Sequence, residues 1–325
     1  MSVPIVETRG LVKRYDDQVA VAGIDLVIGP GEIYGLVGPN GAGKTTTMKI
    51  LATLLAPTAG EAFVTGIPVV ADPTEVRRRI GYMPDFYGVY DDLRVWEYLD
   101  FFARCYDVPA RRRGPMIGEL LEIVGLVDKR DAYVESLSRG MRQRLCLAHT
   151  LVHDPALLIL DEPASGLDPR ARVEMREILR ELRGMGKTIL VSSHILPELG
   201  EMCTRIAIID HGRVLRAGTI EEIERSLHAV AQLQIDLLGD AGARDAAMAW
   251  IGTDPRVTSV LPLDGTDSVC RIEVHFDGPP EAQAELLRRM IEAGYHVVGF
   301  SQATSDLEEI FLKVTGQDDP AVVAA

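Results

Sequence analysis

Residues 38–45, with the sequence GPNGAGKT, have the residue types and spacing of a phosphate-binding loop. Glycines let backbone N–H groups turn inward around phosphate oxygens, and the start of the following helix adds partial positive charge. Lys44 would place its ammonium on the outer phosphates, and the Thr45 hydroxyl would contact Mg²⁺. A glycine turn that only caps a helix is the simpler alternative, but the flanking strand and helix patterns favour a phosphate site.

Two adjacent acids, Asp161 and Glu162, follow the apolar run at 156–161, which indicates a strand buried on both faces. Ligands of a parallel α/β sheet bind beyond the carboxyl ends of its strands. Asp161 could hold Mg²⁺ through its waters, and Glu162 could polarise an attacking water. Capping of the next turn is the alternative role. His194 ends the next predicted strand, at 187–194, and could donate to a terminal phosphate or be purely structural.

A second candidate anion site is the segment LSRGMRQR at 137–144. Ser138 is placed as the N-cap of a helix whose apolar positions are Met141, Leu145, Ala148 and Val152. The Ser138 hydroxyl, the Gly140 N–H and the helix dipole would all favour an anion. A capped helix would explain the segment equally well when it is taken alone.

The elements that must position these residues form an α/β pattern with a helical insertion at about 88–152. Breaks in this insertion are predicted at Pro109, Gly114 and Gly125, and hairpins at 57–69 and 205–219. Beyond about residue 227, a β-α-β-β-α-β order is typical of a small ferredoxin-like domain. A last helix, opened by Ser305, is expected at 305–316. The predicted domains are therefore 1–225 and 226–316, followed by a flexible tail at 317–325.

Composition limits the possible functions. The chain has 325 residues, a net charge of −14 and a pI near 5.0, so we expect no nucleic-acid partner. No run of 18 apolar residues predicts a membrane span, and the first residues lack a secretory signal pattern. Four scattered cysteines fit a reducing cytosol. The six histidines other than His194 have no metal-ligand spacing.

The order of these motifs over residues 3–222 resembles the ATP-binding subunit of an ABC transporter. The segment at 137–141 then resembles the family's signature loop, which faces away from its own phosphate loop. The resemblance implies that two subunits meet head to tail as a homodimer and that each signature loop closes over the ATP of the other. It also implies an integral-membrane permease as partner and a location on the cytoplasmic face of the cell membrane.

Residue roles follow from the resemblance. Tyr15 is similar to the aromatic residue that stacks on adenine, and Asp168 lies in a loop that couples the two sites of the dimer. Asp161 corresponds to the Mg²⁺-side acid, Glu162 to the catalytic base and His194 to the switch histidine. The other implied contacts to ATP, its phosphates and Mg²⁺ come from Gly38, Asn40, Gly41, Gly43, Lys44, Thr45, Thr46, Ser138 and Gly140.

Two departures from the family pattern stand out. Arg139 and Met141 replace a glycine and a glutamine of the usual L-S-G-G-Q, and R-G-M signatures resemble those of drug- and polysaccharide-exporting systems. Asp85 stands where the family has a glutamine near Mg²⁺ and the attacking water. An acid there could still ligate Mg²⁺, but it cannot donate a hydrogen bond while it is ionised. Capping of the next turn is the alternative for Asp85.

The leading hypothesis is an ATPase that powers export of a drug, lipid, polysaccharide or similar substrate through a separate permease. A soluble ABC-type ATPase acting on nucleic acid or ribosomes is a second hypothesis. The acidic charge, the single ATPase unit and the lack of a long coiled-coil insertion weigh against it. A phosphate-loop kinase would leave the signature loop unexplained, and an importer subunit remains an alternative.

Overall fold

In the computed structural model of the protein, residues 3–16, 18–86, 88–227, 231–266 and 269–302 are described. The chain divides into two compact units between Ile220 and Glu221. The predicted boundary at 225/226 lies inside the helix Ile220–Leu227. The predicted helix at 305–316 and the tail at 317–325 lie outside the described residues.

The elements up to Leu227 alternate between strands and helices. They are β1 (Val6–Tyr15), β2 (Gln18–Ile28), β3 (Ile33–Val37), α1 (Lys44–Leu51), β4 (Ala59–Val64), β5 (Ile67–Pro68), α2 (Pro73–Arg79), β6 (Ile80–Met83), α3 (Val95–Cys105), α4 (Ala110–Ile123), two 3₁₀ turns (Val127–Lys129 and Val134–Ser136), α5 (Arg139–Thr150), β7 (Leu157–Leu160), α6 (Pro169–Gly184), β8 (Thr188–Ser193), α7 (Leu196–Gly200), β9 (Arg205–Asp210), β10 (Arg213–Gly218) and α8 (Ile220–Leu227).

A six-stranded sheet in the order β10-β9-β3-β8-β7-β6 positions the predicted site residues. All its pairings are parallel except that of the edge strand β10 with β9. Every residue of β3, β7 and β8 is buried, which explains why their sequences are mostly apolar. The phosphate loop, Asp85, Asp161 and His194 follow β3, β6, β7 and β8 respectively, so all four lie at the same edge.

A second, antiparallel sheet in the order β2-β1-β4-β5 packs into the same core, and its β4–β5 pair confirms the predicted hairpin. The β9–β10 hairpin is also confirmed, with positive φ at His211 (46°) and Gly212 (73°) in its turn. Gly212 N donates to Ala42 O at 3.0 Å, and Gly212 O accepts from Ala22 N at 2.7 Å. This turn therefore bonds both to the phosphate loop and to β2.

Helices α3, α4 and α5 form the insertion between β6 and β7. The predicted breaks at Pro109 and Gly125 are confirmed, because they flank α4, but the break predicted at Gly114 is wrong. Gly114 lies inside α4, where glycine costs only about 1 kcal/mol relative to alanine. Burial of Ile117 and Leu121 on the same helix outweighs that cost.

The second unit confirms the predicted β-α-β-β-α-β order: β11 (Ala231–Leu238), α9 (Ala241–Ile251), β12 (Val257–Thr266), β13 (Val269–Phe276), α10 (Pro280–Glu292) and β14 (Val297–Gln302). Its antiparallel sheet has the order β12-β13-β11-β14 and its own apolar core. Asp254, 3% exposed, accepts from Arg256 at 2.8 Å and from Arg289 at 2.7 Å. The Arg256 hydrogen bonds hold the pKa of Asp254 well below its usual range.

We predict that a chain ending at Leu227, which keeps α8 whole, folds and binds ATP alone. All predicted nucleotide contacts and the core around them lie before this cut. Fluorescent ATP-analogue binding and cooperative thermal unfolding would measure this, with the full chain as control. A truncated chain that aggregates, or that loses more than about tenfold in affinity, would show that the nucleotide unit depends on the second unit.

Candidate functional site

The phosphate loop runs from the end of β3 to Lys44, the first residue of α1. Gly43 has φ of 104°, and a Cβ added there would overlap Ala20 O, while a Cβ at Gly38 would overlap Ile209 O. No other residue type fits these two positions without a backbone shift, because the obstructing atoms belong to the main chain. The glycines thus let the loop lie directly against β2 and β9.

Lys44 is 5% exposed, and its ammonium points back into the phosphate loop. Nζ donates to Gly38 O at 2.6 Å and to Pro39 O at 3.2 Å, and it lies 3.6 Å from Glu162 Oε1. Burial lowers the pKa of Lys44, and the charges of Glu162 and Asp161 oppose that shift. A desolvated cation held against these acids is suited to receiving phosphate oxygens.

Asp161 is 1% exposed, and two hydroxyl groups hold its carboxylate. Oδ1 accepts from Thr45 Oγ1 at 3.0 Å and from Ser192 Oγ at 2.7 Å. The Thr45 hydroxyl and the Asp161 carboxylate are hard oxygen ligands, so together they fit Mg²⁺. Among the described residues, no group of three or more His, Cys, Asp or Glu could hold a metal ion. Phosphate oxygens and water would therefore have to complete the coordination.

Glu162 has a positive φ of 51°, a backbone conformation that is uncommon for residues other than glycine. Its backbone N–H donates to Ser192 Oγ at 2.9 Å, which stabilises this conformation. Its carboxylate lies between Lys44 and His194, whose Nδ1 is 2.9 Å from Oε2. The predicted base and the predicted switch histidine are thus brought into direct contact.

A cleft of about 440 Å³, here called the first cleft, lies at the carboxyl edge of the parallel sheet, and most of the predicted site residues form its wall. Tyr15 stands at its rim, 44% exposed, with Lys13 Nζ 5.3 Å from the ring centroid. Gly38 lies behind the loop, and Asp161 is buried beside Thr45. Residues on the cleft wall are Tyr15, Gln18, Ala20, Asn40, Gly41, Ala42, Gly43, Lys44, Thr45, Thr46, Asp85, Glu162, Ser165 and His194.

Asp85 adds a third acid to this arrangement, on an exposed turn after β6. Partial desolvation and the charges of Asp161 and Glu162 raise the pKa of Asp85, whereas Arg139 and His194 oppose the shift. Asp85 therefore lies within electrostatic range of the other two acids of the site.

Ser138 and Gly140 are not in the first cleft. Ser138 caps α5 by accepting from Met141 N at 3.3 Å, as the sequence predicts. Both residues line a second cleft of about 240 Å³, together with Asp168. Within one chain, Ser138 and Gly140 thus line a different cleft from the phosphate loop.

Sequence reasoning missed Ser192, which bonds to both acids, and the cleft residues Gln18, Ala20 and Ser165. A serine at the end of the buried strand, directly before Ser193 and His194, was the available signal for Ser192. Ser165 opens the segment SGLD at 165–168, which belongs to the motif order of the family. No local signal marks Gln18 and Ala20, because their positions depend on how β2 packs.

Comparisons with known proteins agree with this geometry. A model of the ABC transporter family matches residues 21–165. The daunorubicin/doxorubicin resistance ATP-binding protein DrrA of Streptomyces peucetius is 41% identical over 312 residues, which are 96% of this chain and 92% of that protein. The Nod factor export ATP-binding protein I of Burkholderia pseudomallei (strain K96243) is 44% identical over 318 residues, 98% and 99% of the two chains. The chain belongs to the ABC transporter family.

Solved structures support the same assignment. One ATP-binding subunit of an ABC transporter has a TM-score of 0.62 and 31% identity, over 68% of this chain and 92% of that one. As an ABC ATPase, the protein binds and hydrolyses ATP. No helix among the described residues has the length and apolar character to cross a membrane.

Replacing Asp85 by asparagine tests its position in this ABC ATPase. We expect half-activation of ATP hydrolysis to shift to higher Mg²⁺, by up to about tenfold, because a carboxylate near the metal is lost. The measurement is a Mg²⁺ titration of ATPase activity. If Asp85 only caps a turn, half-activation stays where it was.

The same variant has a pH-dependent signature in the nucleotide-free protein. Because the pKa of Asp85 is raised on folding, its ionisation reduces stability as pH rises above about 4. Asp85→Asn should therefore unfold at higher temperature than wild type at pH 8 and equally at pH 3.5. The gain should stay below about 0.5 kcal/mol, because water screens an exposed side chain.

Proposed function

We propose that this ATP-binding subunit powers export through a separate membrane permease and that two copies enclose two ATP molecules head to tail. The observation that carries the proposal is the separation of the two clefts on one chain. The first cleft contains the phosphate loop and the acids, whereas Ser138 and Gly140 lie in the second. A partner copy would bring its Ser138 and Gly140 to the ATP held in the first cleft.

The predicted site residues of the first cleft would then have separate tasks in ATP binding and hydrolysis. Lys44 would bind the outer phosphates, and Tyr15 would stack on adenine. Thr45 and Asp161, with Asp85 nearby, would hold Mg²⁺, which neutralises charge that develops on the transferred phosphoryl group.

The contact between Glu162 and His194 supports their proposed roles. Glu162 would orient the attacking water and accept its proton. His194, which lies 2.9 Å from that carboxylate, would keep it in place and donate to the terminal phosphate.

Export through a permease is supported by what the relatives are named for: one for drug resistance and one for Nod factor export. Exposed aromatic residues after β6 support a contact with such a partner. Phe86 is 95% exposed and Tyr90 55%, and the Tyr90 ring contacts Phe101 at 5.4 Å between centroids. Contiguous exposed apolar patches, unlike single exposed residues, mark interaction sites. The subunit would then lie peripherally on the cytoplasmic face of the membrane.

A trapped dimer tests the head-to-tail arrangement. Glu162→Gln should slow hydrolysis by about 10²–10⁴-fold, because the base is lost while the phosphate contacts remain. With ATP and Mg²⁺, light scattering should then show a dimer. Addition of Ser138→Arg to the same chain should leave a monomer that still binds ATP. A monomeric Glu162→Gln protein at saturating ATP would contradict the arrangement.

Membrane fractionation tests the partner. The chain should sediment with membranes when its permease is co-expressed and should remain in the supernatant without it. Phe86→Ser should lower the membrane-bound fraction several-fold, because it removes an exposed aromatic contact. Leu54→Ser is the matched control, since Leu54 is 60% exposed on another part of the surface. Equal membrane recovery with and without the permease would reject the proposal.

A further inference from the structure

Arg139 links the second cleft to the first within one chain. It directly follows Ser138 at the start of α5, and its guanidinium reaches the turn that follows Glu162. Nη2 donates to Ser165 O at 3.1 Å. A Cβ added at Gly166 would overlap the guanidinium, so this side chain lies directly against the glycine.

The turn that Arg139 holds belongs to the first cleft. Ser165 N donates to Glu162 O at 3.0 Å, and Ser165 lies on the wall of that cleft. The same turn continues to Leu167, whose carbonyl accepts from Arg172 Nε at 3.1 Å. The turn thus begins at Glu162, the proposed catalytic base, and ends at Leu167, where a hydrogen bond from α6 holds it. Arg139 is bonded to Ser165, between these two ends.

The usual signature has glycine at the position of Arg139, and glycine has no side chain that could make this contact. The bond is charge-assisted and ends on a main-chain carbonyl, so it constrains the path of the turn and not only a side chain. Gly166 has φ of 66°, and the guanidinium of Arg139 occupies the space where another residue would have its Cβ. A larger residue at this position would displace the guanidinium.

We propose that Arg139 is a positioning residue that couples the two clefts of each subunit. When Ser138 closes on the ATP of the partner, Arg139 moves with α5 and sets the turn at 165–166, and with it Glu162, in its own first cleft. This inference rests on the head-to-tail arrangement proposed above.

Amide exchange tests the contact in the full chain without nucleotide. Arg139→Ala should speed hydrogen–deuterium exchange at Ser165 and Leu167 by about tenfold. Arg170→Ala is the control, because Arg170 is an exposed neighbour that pairs with Glu174 at 3.2 Å instead of the turn. Equal exchange in the Arg139 and Arg170 variants would overturn the proposal.

Mixed dimers test the coupling. A small amount of a subunit with an intact Glu162 is mixed with excess Glu162→Gln subunit, so nearly every dimer that contains an intact subunit has one hydrolysing site while the partner site still holds ATP. If Arg139 positions its own Glu162, Arg139→Ala should cut ATPase activity about tenfold when it lies on the intact subunit. The same change on the Glu162→Gln subunit should have little effect.

The reverse pattern would mean that Arg139 contacts the partner's ATP directly, and it would overturn the proposal, as would equal effects on both subunits. Arg139→Lys on the intact subunit should restore part of the activity, because one donor can still reach Ser165 O. Ser138→Arg on the Glu162→Gln subunit checks the arrangement itself. If that change leaves the activity of the mixture unaltered, the head-to-tail arrangement fails and the coupling fails with it, whereas the exchange result still decides the contact.

Discussion

The burial of one carboxylate, that of Asp161, fixes the geometry of the nucleotide site. A carboxylate that is 1% exposed is stable only when donors surround it. Its two donors, Thr45 and Ser192, come from α1 and from the end of β8, while Asp161 itself follows β7. The start of α1 and the ends of β7 and β8 must therefore all be in place before the Asp161 carboxylate has its hydrogen-bond donors. Ser192 also holds the backbone of Glu162, so the proposed base is oriented by the same contact.

Charge balance in the first cleft explains why ATP would need a metal there. The negative charges of Asp161 and Glu162 raise the pKa of Asp85. The buried ammonium of Lys44 interacts with Asp161 and Glu162. ATP adds several negative charges to this set. A divalent ion between the acids and the phosphates would relieve the repulsion, so the composition of the site favours a metal together with ATP.

Sequence reasoning predicted the parts of this structure that depend on local patterns. Continuous apolar runs predicted β7 and β8, and the order of alternating segments predicted the sheet of the second unit. It failed at Gly114, because burial of one face of α4 outweighs a local helix-breaking tendency. It also missed the contacts of Ser192 and Arg139, because each joins segments more than twenty residues apart. Such pairings depend on packing, which no short window of sequence encodes.

The turn at His211 and Gly212 has a consequence for nucleotide affinity. Through Gly212 it bonds to Ala42 in the phosphate loop and to Ala22 in β2, the strand that pairs with the one ending at Tyr15. Main-chain hydrogen bonds therefore connect the surface that would receive the base to the loop that would receive the phosphates. Once the phosphates of a nucleotide are bound, the base is presented to Tyr15 at a high effective concentration, so even a weak stacking contact adds to affinity without a further loss of freedom.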